Sequence, residues 1–324
     1  MKVKHSTESG RSKRSCRPCG GGTTARSLAL FLVAASAWAQ PAQTPLGQLK
    51  ASIERTTKSV NATWGIFIRN IDTGEEIAID ATRRMDTMSV IKIPLMAEVF
   101  FQVKEGKLKL SDSYTVTKED VRPGTGVLRS LDPGTVVTLK DLVTLMIIVS
   151  DNTATDILFR MTGGIDPVNR RMAGLGLTDT RAVADSSAWF AALRAAPGTV
   201  EFYRSKKTPY GLSSPKDMGT LLEQMERGNL VDEASSKQML AILRGQLYRT
   251  RIPRFLSNVA VPHKTGDFLP YIGNDVGVLE LGPKNRVVIC LFNADHYGDG
   301  GMLEEALGRI ALSVADYFRA RDAK

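Results

Sequence analysis

The order of helical and extended segments constrains the fold of this chain most strongly. A helical pattern near the N-terminus is followed by two strand-like runs that end by residue 79. Helical patterns then fill the middle, and strand-like runs return only in the last quarter, before a final helix over 302–319. We therefore expect an α/β (α+β) fold, in which an antiparallel sheet is completed by strands from both ends, flanked by the terminal helices, and interrupted by an inserted all-helical subdomain. The predicted strands are 63–71, 76–79, 259–264, 276–281 and 286–292, and the main predicted helices are 46–60, 89–104, 138–149, 153–161, 213–226, 232–243 and 302–319.

The first 39 residues carry most of the positive charge. Seven basic residues against a single acid give this segment +6 of the formal net charge of +9. An apolar run over 28–38 follows the basic stretch, and Ala37-Trp38-Ala39 has the small residues typical of a signal-peptidase site. We predict that residues 1–39 are a signal peptide cleaved before Gln40, which makes the mature protein periplasmic or secreted, with no stable membrane span. The modest charge of the remainder argues against a nucleic-acid partner.

Cysteine and histidine are too sparse to predict a metal site. Cys16 and Cys19 lie in the segment expected to be removed, so Cys290, inside an apolar run, is expected to be a buried small hydrophobe. The three histidines are scattered along the chain among unsuitable neighbours: His5, His263 and His296. We therefore expect no disulfide, no metal and no cofactor.

Three short polar segments indicate acyl-transfer chemistry. Ser89 and Lys92 share one face of a predicted helix, Ser150-Asp151-Asn152 follows another helix, and Lys264-Thr265-Gly266 ends a predicted strand. Together they supply a serine nucleophile, a second hydroxyl that can protonate a leaving nitrogen, and a cationic wall for a carboxylate. Lys92 either takes the serine proton when neutral or stabilises the alkoxide when charged, and a nearby Lys264 would lower the pKa of Lys92.

These segments resemble the S-x-x-K, S-D-N and K-T-G motifs of class A β-lactamases and penicillin-binding proteins. The resemblance extends to the residues around each motif, such as 89–94 and 145–154, and to the element order across about 45–320. It implies a serine β-lactamase-like catalytic domain over 40–324. Its α/β part would take in about 45–85 and 255–324, and its helical part about 86–254.

The resemblance also implies a role for each matching residue. Ser89 would be acylated, with its own N–H and that of Asp267 forming the oxyanion hole. Asn152 would contact the acylamido side chain of the substrate, and the K-T-G segment would bind its carboxylate. The expected catalytic residues are Ser89, Lys92 and Ser150, and the expected substrate-binding residues are Asn152, Lys264, Thr265, Gly266 and Asp267. The expected function is β-lactam hydrolysis by a monomer, giving β-lactam catabolism and antibiotic resistance.

The glutamate that activates water in class A enzymes, in an E-x-x-L-N pattern on the Ω-loop, has no counterpart here. The corresponding stretch follows Thr180-Arg181, and its nearest carboxylate is Asp185; Glu201 is the second candidate. The favoured interpretation of both is a solvated loop residue, within a region, 182–210, expected to be loop. Two alternatives therefore stay open: a D-alanyl peptidase or other serine hydrolase of the penicillin-binding type, and a slowly deacylating β-lactam-binding sensor.

Overall fold

The central sheet draws its strands from both ends of the chain. The structure is a computed structural model that describes residues 44–322. Strands β1 (Thr63–Asn70) and β2 (Glu76–Ile79) precede the helical region, whereas β8 (His263–Phe268), β9 (Ile272–Gly282) and β10 (Asn285–Ala294) follow it. All neighbours are antiparallel, in the order β2-β1-β10-β9-β8. The predicted antiparallel sheet, completed by strands from both ends, is confirmed.

The remaining elements lie on the two faces of this sheet and in the inserted helical region. The helices are α1 (Pro45–Lys58), α2 (Lys92–Lys104), α3 (Leu139–Ile148), α4 (Asn152–Met161), α5 (Ile165–Gly174), α6 (Ser186–Ala195), α7 (Thr199–Ser205), α8 (Pro215–Glu226), α9 (Glu233–Arg244) and α10 (Gly300–Asp322). The short strands are β3 (Met85–Asp86), β4 (Ser113–Thr115), β5 (Val136–Thr138), β6 (Arg181–Ala182) and β7 (Gly211–Ser213). Within residues 44–322, no helix combines the length and apolar character needed to cross a bilayer.

Successive side chains of a strand point to opposite faces of the sheet, and the apolar side chains on the two faces form two hydrophobic cores. In β1, Ile66 and Ile68 pack on the side of α1 and α10, while Phe67 between them joins the larger core under the helical region. Gly219 of α8 lets that helix lie against Phe67, because a Cβ at this position would stand 2.3 Å from the Phe67 ring. Cys290 is fully buried in the larger core, as its apolar surroundings predicted. One face of the sheet thus packs against the helical region through the larger core.

Three expectations about local structure need correction. The strand that carries the K-T-G segment begins at His263 rather than at 259, because Pro262 has no N–H to donate to the ladder. Ser89 lies in a 3₁₀ turn, Met88–Ile91, that precedes α2, so the α-helix starts at Lys92. The region 182–210 is not simply loop, since it contains α6 and α7. The predicted signal peptide, residues 1–39, lies outside the described residues.

Candidate active site

The 3₁₀ turn that carries Ser89 is held in place by hydrogen bonds from the backbone N–H groups of Thr87 and Met88. Met88 adopts a left-handed backbone conformation, with φ of 45°, and its N–H donates to the Asp86 carboxylate at 2.9 Å. The N–H of Thr87 donates to the carbonyl of Gly211 in β7, also at 2.9 Å. This arrangement leaves Ser89 half-buried at the edge of a cleft of about 460 Å³, which its side chain helps to line.

Lys92 is fully buried one turn beyond Ser89. Its Nζ donates to three oxygens: the carbonyl of Ser150 at 2.7 Å, the Ser150 hydroxyl at 3.1 Å and Oδ1 of Asn152 at 2.9 Å. Burial, followed by the charge of Lys264, holds the pKa of Lys92 well below its usual range. The lowered pKa favours the neutral amine, the form that can accept a proton, over the ammonium, which alone can donate all three of these hydrogen bonds.

Ser150 lies between the two lysines of the site. Lys264 Nζ donates to the Ser150 hydroxyl at 3.1 Å, the same distance as Lys92 Nζ. Ser150 has φ of 54°, a left-handed conformation that is rare for serine and that turns the chain between α3 and α4. Burial lowers the pKa of Lys264 to about 7. One hydroxyl thus contacts two buried amines, both with a pKa lowered by burial.

The two residues after Ser150 have different places in the site: Asp151 supports the surrounding backbone, and Asn152 lines the cleft. The Asp151 carboxylate is fully buried and accepts N–H groups from Val127 at 2.7 Å, Leu128 at 2.9 Å and Ala154 at 2.9 Å. It caps α4 and fixes the loop over the cleft, as a scaffold residue does. Asn152 lines the cleft, and its Nδ2 donates to the carbonyl of Pro123 at 2.9 Å.

Strand β8 forms the opposite wall of the site at the edge of the sheet. A side chain at Gly266 would place its Cβ 2.3 Å from the Thr87 carbonyl and 3.0 Å from the Ser89 N, so only glycine lets the strand approach the Ser89 turn. Because β9 is the one strand of the described chain that pairs with β8, alternate backbone groups of β8 face away from the sheet. Lys264 and Thr265 are buried, and of the K-T-G segment and its successor only Asp267 lines the cleft.

Neither sequence candidate for a water-activating base reaches this cleft. Asp185 caps α6, where its carboxylate accepts the Ala188 N–H at 2.7 Å, and Glu201 is exposed in the first turn of α7. Neither is among the residues that line the cleft. The structure therefore brings together all eight predicted site residues but keeps both candidate bases outside the cleft.

Several cleft residues could not be recognised in the sequence. Arg251 is almost fully buried, and its guanidinium contacts both carboxylates that line the cleft within the described residues, Asp267 and Glu304, each at 3.1 Å. The wall contributed by α6 and its surroundings is apolar and aromatic, formed by Trp189, Phe190, Leu193 and Tyr210. No local pattern marked these positions, because their place in the cleft depends on how α6 and α10 pack.

Comparison with known proteins agrees with this architecture. Residues 48–318 match the family described as the Beta-lactamase enzyme family. Beta-lactamase VEB-1 of Pseudomonas aeruginosa is 24% identical over 285 residues, which cover 83% of this chain and 90% of that protein. A β-lactamase of Sphaerobacter thermophilus DSM 20745, known from its crystal structure, is 29% identical, with a TM-score of 0.72 over 85% of this chain and 96% of its own. PBP-A, at 24% identity, shares the fold with a TM-score of 0.73 over 86% of this chain and 99% of its own. The chain belongs to the Beta-lactamase enzyme family.

Proposed function

We propose that the protein is a serine β-lactamase of the class A type, which opens the β-lactam amide through an acyl-enzyme on Ser89. The observation that carries the proposal is the hydroxyl of Ser150, held 3.1 Å from both Lys92 Nζ and Lys264 Nζ at the edge of the cleft that Ser89 lines. Acyl transfer to a cyclic amide needs a path for protons from the nucleophile to the leaving nitrogen, and this arrangement supplies one.

Acylation would begin with attack of the Ser89 hydroxyl on the β-lactam carbonyl carbon. Neutral Lys92 takes the hydroxyl proton, which requires its Nζ to give up one of its three present hydrogen bonds. The oxyanion accepts N–H groups from Ser89 and Asp267, which the close approach of β8 at Gly266 brings toward one another. When the carbon–nitrogen bond breaks, Ser150 gives its proton to the ring nitrogen and regains one from a lysine.

Substrate binding would use the remaining predicted residues. Asn152 presents its amide to the acylamido side chain, while Lys264, Thr265 and the β8 backbone hold the carboxylate. The aromatic wall of α6 would contact the apolar part of the side chain. We further propose that residues 1–39 direct export, so that a monomeric enzyme meets β-lactams in the periplasm or outside the cell.

A specific observation favours a second candidate, a β-lactam acceptor that deacylates slowly. The carboxylates that line the described part of the cleft are both engaged by Arg251, and Glu304 also accepts the Thr250 hydroxyl at 2.8 Å. The loss of a positioned general base slows the step it serves by about a hundred- to ten-thousand-fold. Acylation would then be fast while release of the product is slow.

A time course of intact mass after addition of benzylpenicillin tests the proposal and separates the candidates. An adduct that forms on wild-type protein and not on Ser89→Ala, together with complete hydrolysis of excess drug, supports the β-lactamase. A stoichiometric adduct that persists supports the acceptor. Nitrocefin hydrolysis that is unchanged in Ser89→Ala would overturn both, and D-alanine release from a peptide substrate without β-lactam hydrolysis would favour the peptidase alternative.

A further inference from the structure

A second cavity, of about 640 Å³, lies behind the apolar wall of the catalytic cleft. Met88, Trp189 and Phe268 line both spaces, so these three side chains separate them. None of the eight predicted site residues lines the second cavity. Its volume lies in the range of small-molecule binding sites, which is about 300–1,000 Å³.

The inner surface of this cavity is aromatic and apolar. The Trp189 ring makes edge-to-face contacts with Phe202 and Phe268, with ring centroids 5.2 Å apart in both pairs. Tyr203 adds a fourth ring to this surface, and Met85 contributes a buried apolar side chain. Such a surface accommodates the hydrocarbon or aromatic body of a ligand.

The mouth of the cavity is strongly cationic. Five basic side chains line it: Arg83, Arg84, Arg181, Lys206 and Lys207. Three of them already have acidic partners: Arg83 contacts Asp80 at 2.9 Å, Arg84 contacts Asp179 at 2.9 Å, and Lys206 contacts Asp295 at 2.6 Å. Arg181 and Lys207 are exposed and make no ion pair with any residue in 44–322. Two basic groups are therefore available to an anion.

The two carboxylates of the cavity do not cancel this charge. Asp295 is occupied by Lys206 and by the hydroxyls of Tyr203 at 3.1 Å and Thr63 at 3.2 Å. Asp86 accepts the Met88 N–H below the Ser89 turn, and burial raises its pKa to about 6. Neither carboxylate forms an ion pair with Arg181 or Lys207.

We propose that this cavity binds small amphipathic organic anions, with the apolar body against Trp189 and Phe268 and the anionic group between Arg181 and Lys207. The ligand class is a single-chain or aromatic carboxylate. Bound ligand contacts the reverse side of the same three residues that line the catalytic cleft. The inference is independent of the reaction at Ser89, because it rests on residues outside the motifs.

Isothermal titration calorimetry with decanoate, below its micelle concentration and at low ionic strength, tests the proposal. We expect saturable binding at one site and at least tenfold weaker binding of decyltrimethylammonium, which has the same tail and the opposite charge. The variant Arg181→Ala/Lys207→Ala should bind decanoate about tenfold more weakly. The matched control Lys50→Ala/Lys58→Ala also loses two exposed positive charges, on α1 across the sheet, and should bind as wild type does.

Three outcomes would overturn the proposal. Equal weakening in both double variants would mean that decanoate responds only to net charge. Decanoate binding that is abolished by benzylpenicillin acylation, yet unaffected in Arg181→Ala/Lys207→Ala, would place the ligand in the catalytic cleft. Binding to phosphatidylglycerol vesicles without binding of monomeric decanoate would indicate a membrane-surface contact instead. Thermal unfolding of each variant within about 2 °C of wild type establishes that the folded proteins are being compared.

Discussion

The chemistry of the site depends at the residue scale on two buried lysines that share one hydroxyl. Within residues 44–322, neither Lys92 nor Lys264 makes a hydrogen bond to a carboxylate; their acceptors there are carbonyl, hydroxyl and amide oxygens. A buried ammonium without an anionic partner is costly, so the neutral form is favoured, and a neutral amine can act as a base at physiological pH. The lowered pKa values are thus a direct consequence of burial combined with the lack of a bonded counter-ion.

Replacement of Lys264 by Met should shift the pH profile of acylation. The positive charge of Lys264 contributes to the lowered pKa of Lys92, so its removal raises that pKa. Since acylation needs neutral Lys92, the acid limb of the acylation rate constant should move to higher pH. Stopped-flow measurement at saturating nitrocefin checks this, with Lys216→Met, an exposed lysine of α8, as control. A limb that stays in place or moves to lower pH would contradict the base role.

Gly266→Ala should abolish most acylation. The new Cβ would meet backbone atoms of the Ser89 turn, at 2.3 Å from the Thr87 carbonyl and 2.8 Å from the Val90 N, and backbone cannot swing aside as a side chain can. We expect at least a hundredfold slower labelling by a fluorescent penicillin, because a small misplacement of reacting groups costs about that factor. Gly174→Ala, which meets no atom within 4 Å, is the matched control and should label normally.

Short capping contacts hold the site together at the element scale. Asp151 joins the start of α4 to the 3₁₀ turn Leu128–Ser130, and Asp185 caps α6, which carries the aromatic wall. Both are aspartates at the same helical position, yet one accepts three N–H groups and the other accepts one. The two helices therefore differ in how strongly a single carboxylate anchors them.

Asp151→Ala and Asp185→Ala should separate these roles. Loss of the Asp151 cap and of its two loop contacts should lower the free energy of unfolding by about 2–4 kcal/mol, whereas Asp185→Ala should cost about 1 kcal/mol. Urea unfolding measures both. Deacylation should remain at the wild-type rate in Asp185→Ala, because this carboxylate is engaged in its cap and does not line the cleft. A drop of a hundredfold or more would identify Asp185 as the missing base.

At the scale of the whole molecule, the features that could be predicted were those with a recognisable pattern in the sequence. The sheet followed from periodicity and residue order, since strands from both ends must pair to bury their apolar faces. The meeting of the three distant motifs was implied by their resemblance to those of class A β-lactamases and penicillin-binding proteins. The sequence pattern did not predict that Arg251 and the apolar wall containing Trp189 line the cleft, because packing between elements determines which face of a helix meets a cleft. The start of β8 was misplaced because Val259 and Val261 favour a strand that Pro262 interrupts.

Buried Lys264 should also make stability depend on pH. Its pKa in the folded protein is about 7 against an ordinary value of 10.5, so the unfolded chain binds more protons between these values and stability rises with pH there. The gap corresponds to a few kcal/mol, at about 1.4 kcal/mol for each pKa unit. The gain in stability of Lys264→Met over wild type should therefore be largest at pH 7 and below, and should shrink toward pH 10.5. A difference in unfolding free energy that is constant with pH would contradict the lowered pKa.

The pairing of β1 with β10 determines when, during synthesis of the chain, the active site can assemble. Thr63 pairs with Ala294, and the Ser89 turn is packed against β8, so the nucleophile acquires its surroundings only after the chain has been synthesised at least as far as β10. A growing or truncated chain that lacks β8–β10 cannot assemble the site, and pairing across so long a sequence separation is slow to form. Reactivity toward β-lactams is thereby a property of the finished molecule, and a nascent chain is protected from premature acylation by its own topology.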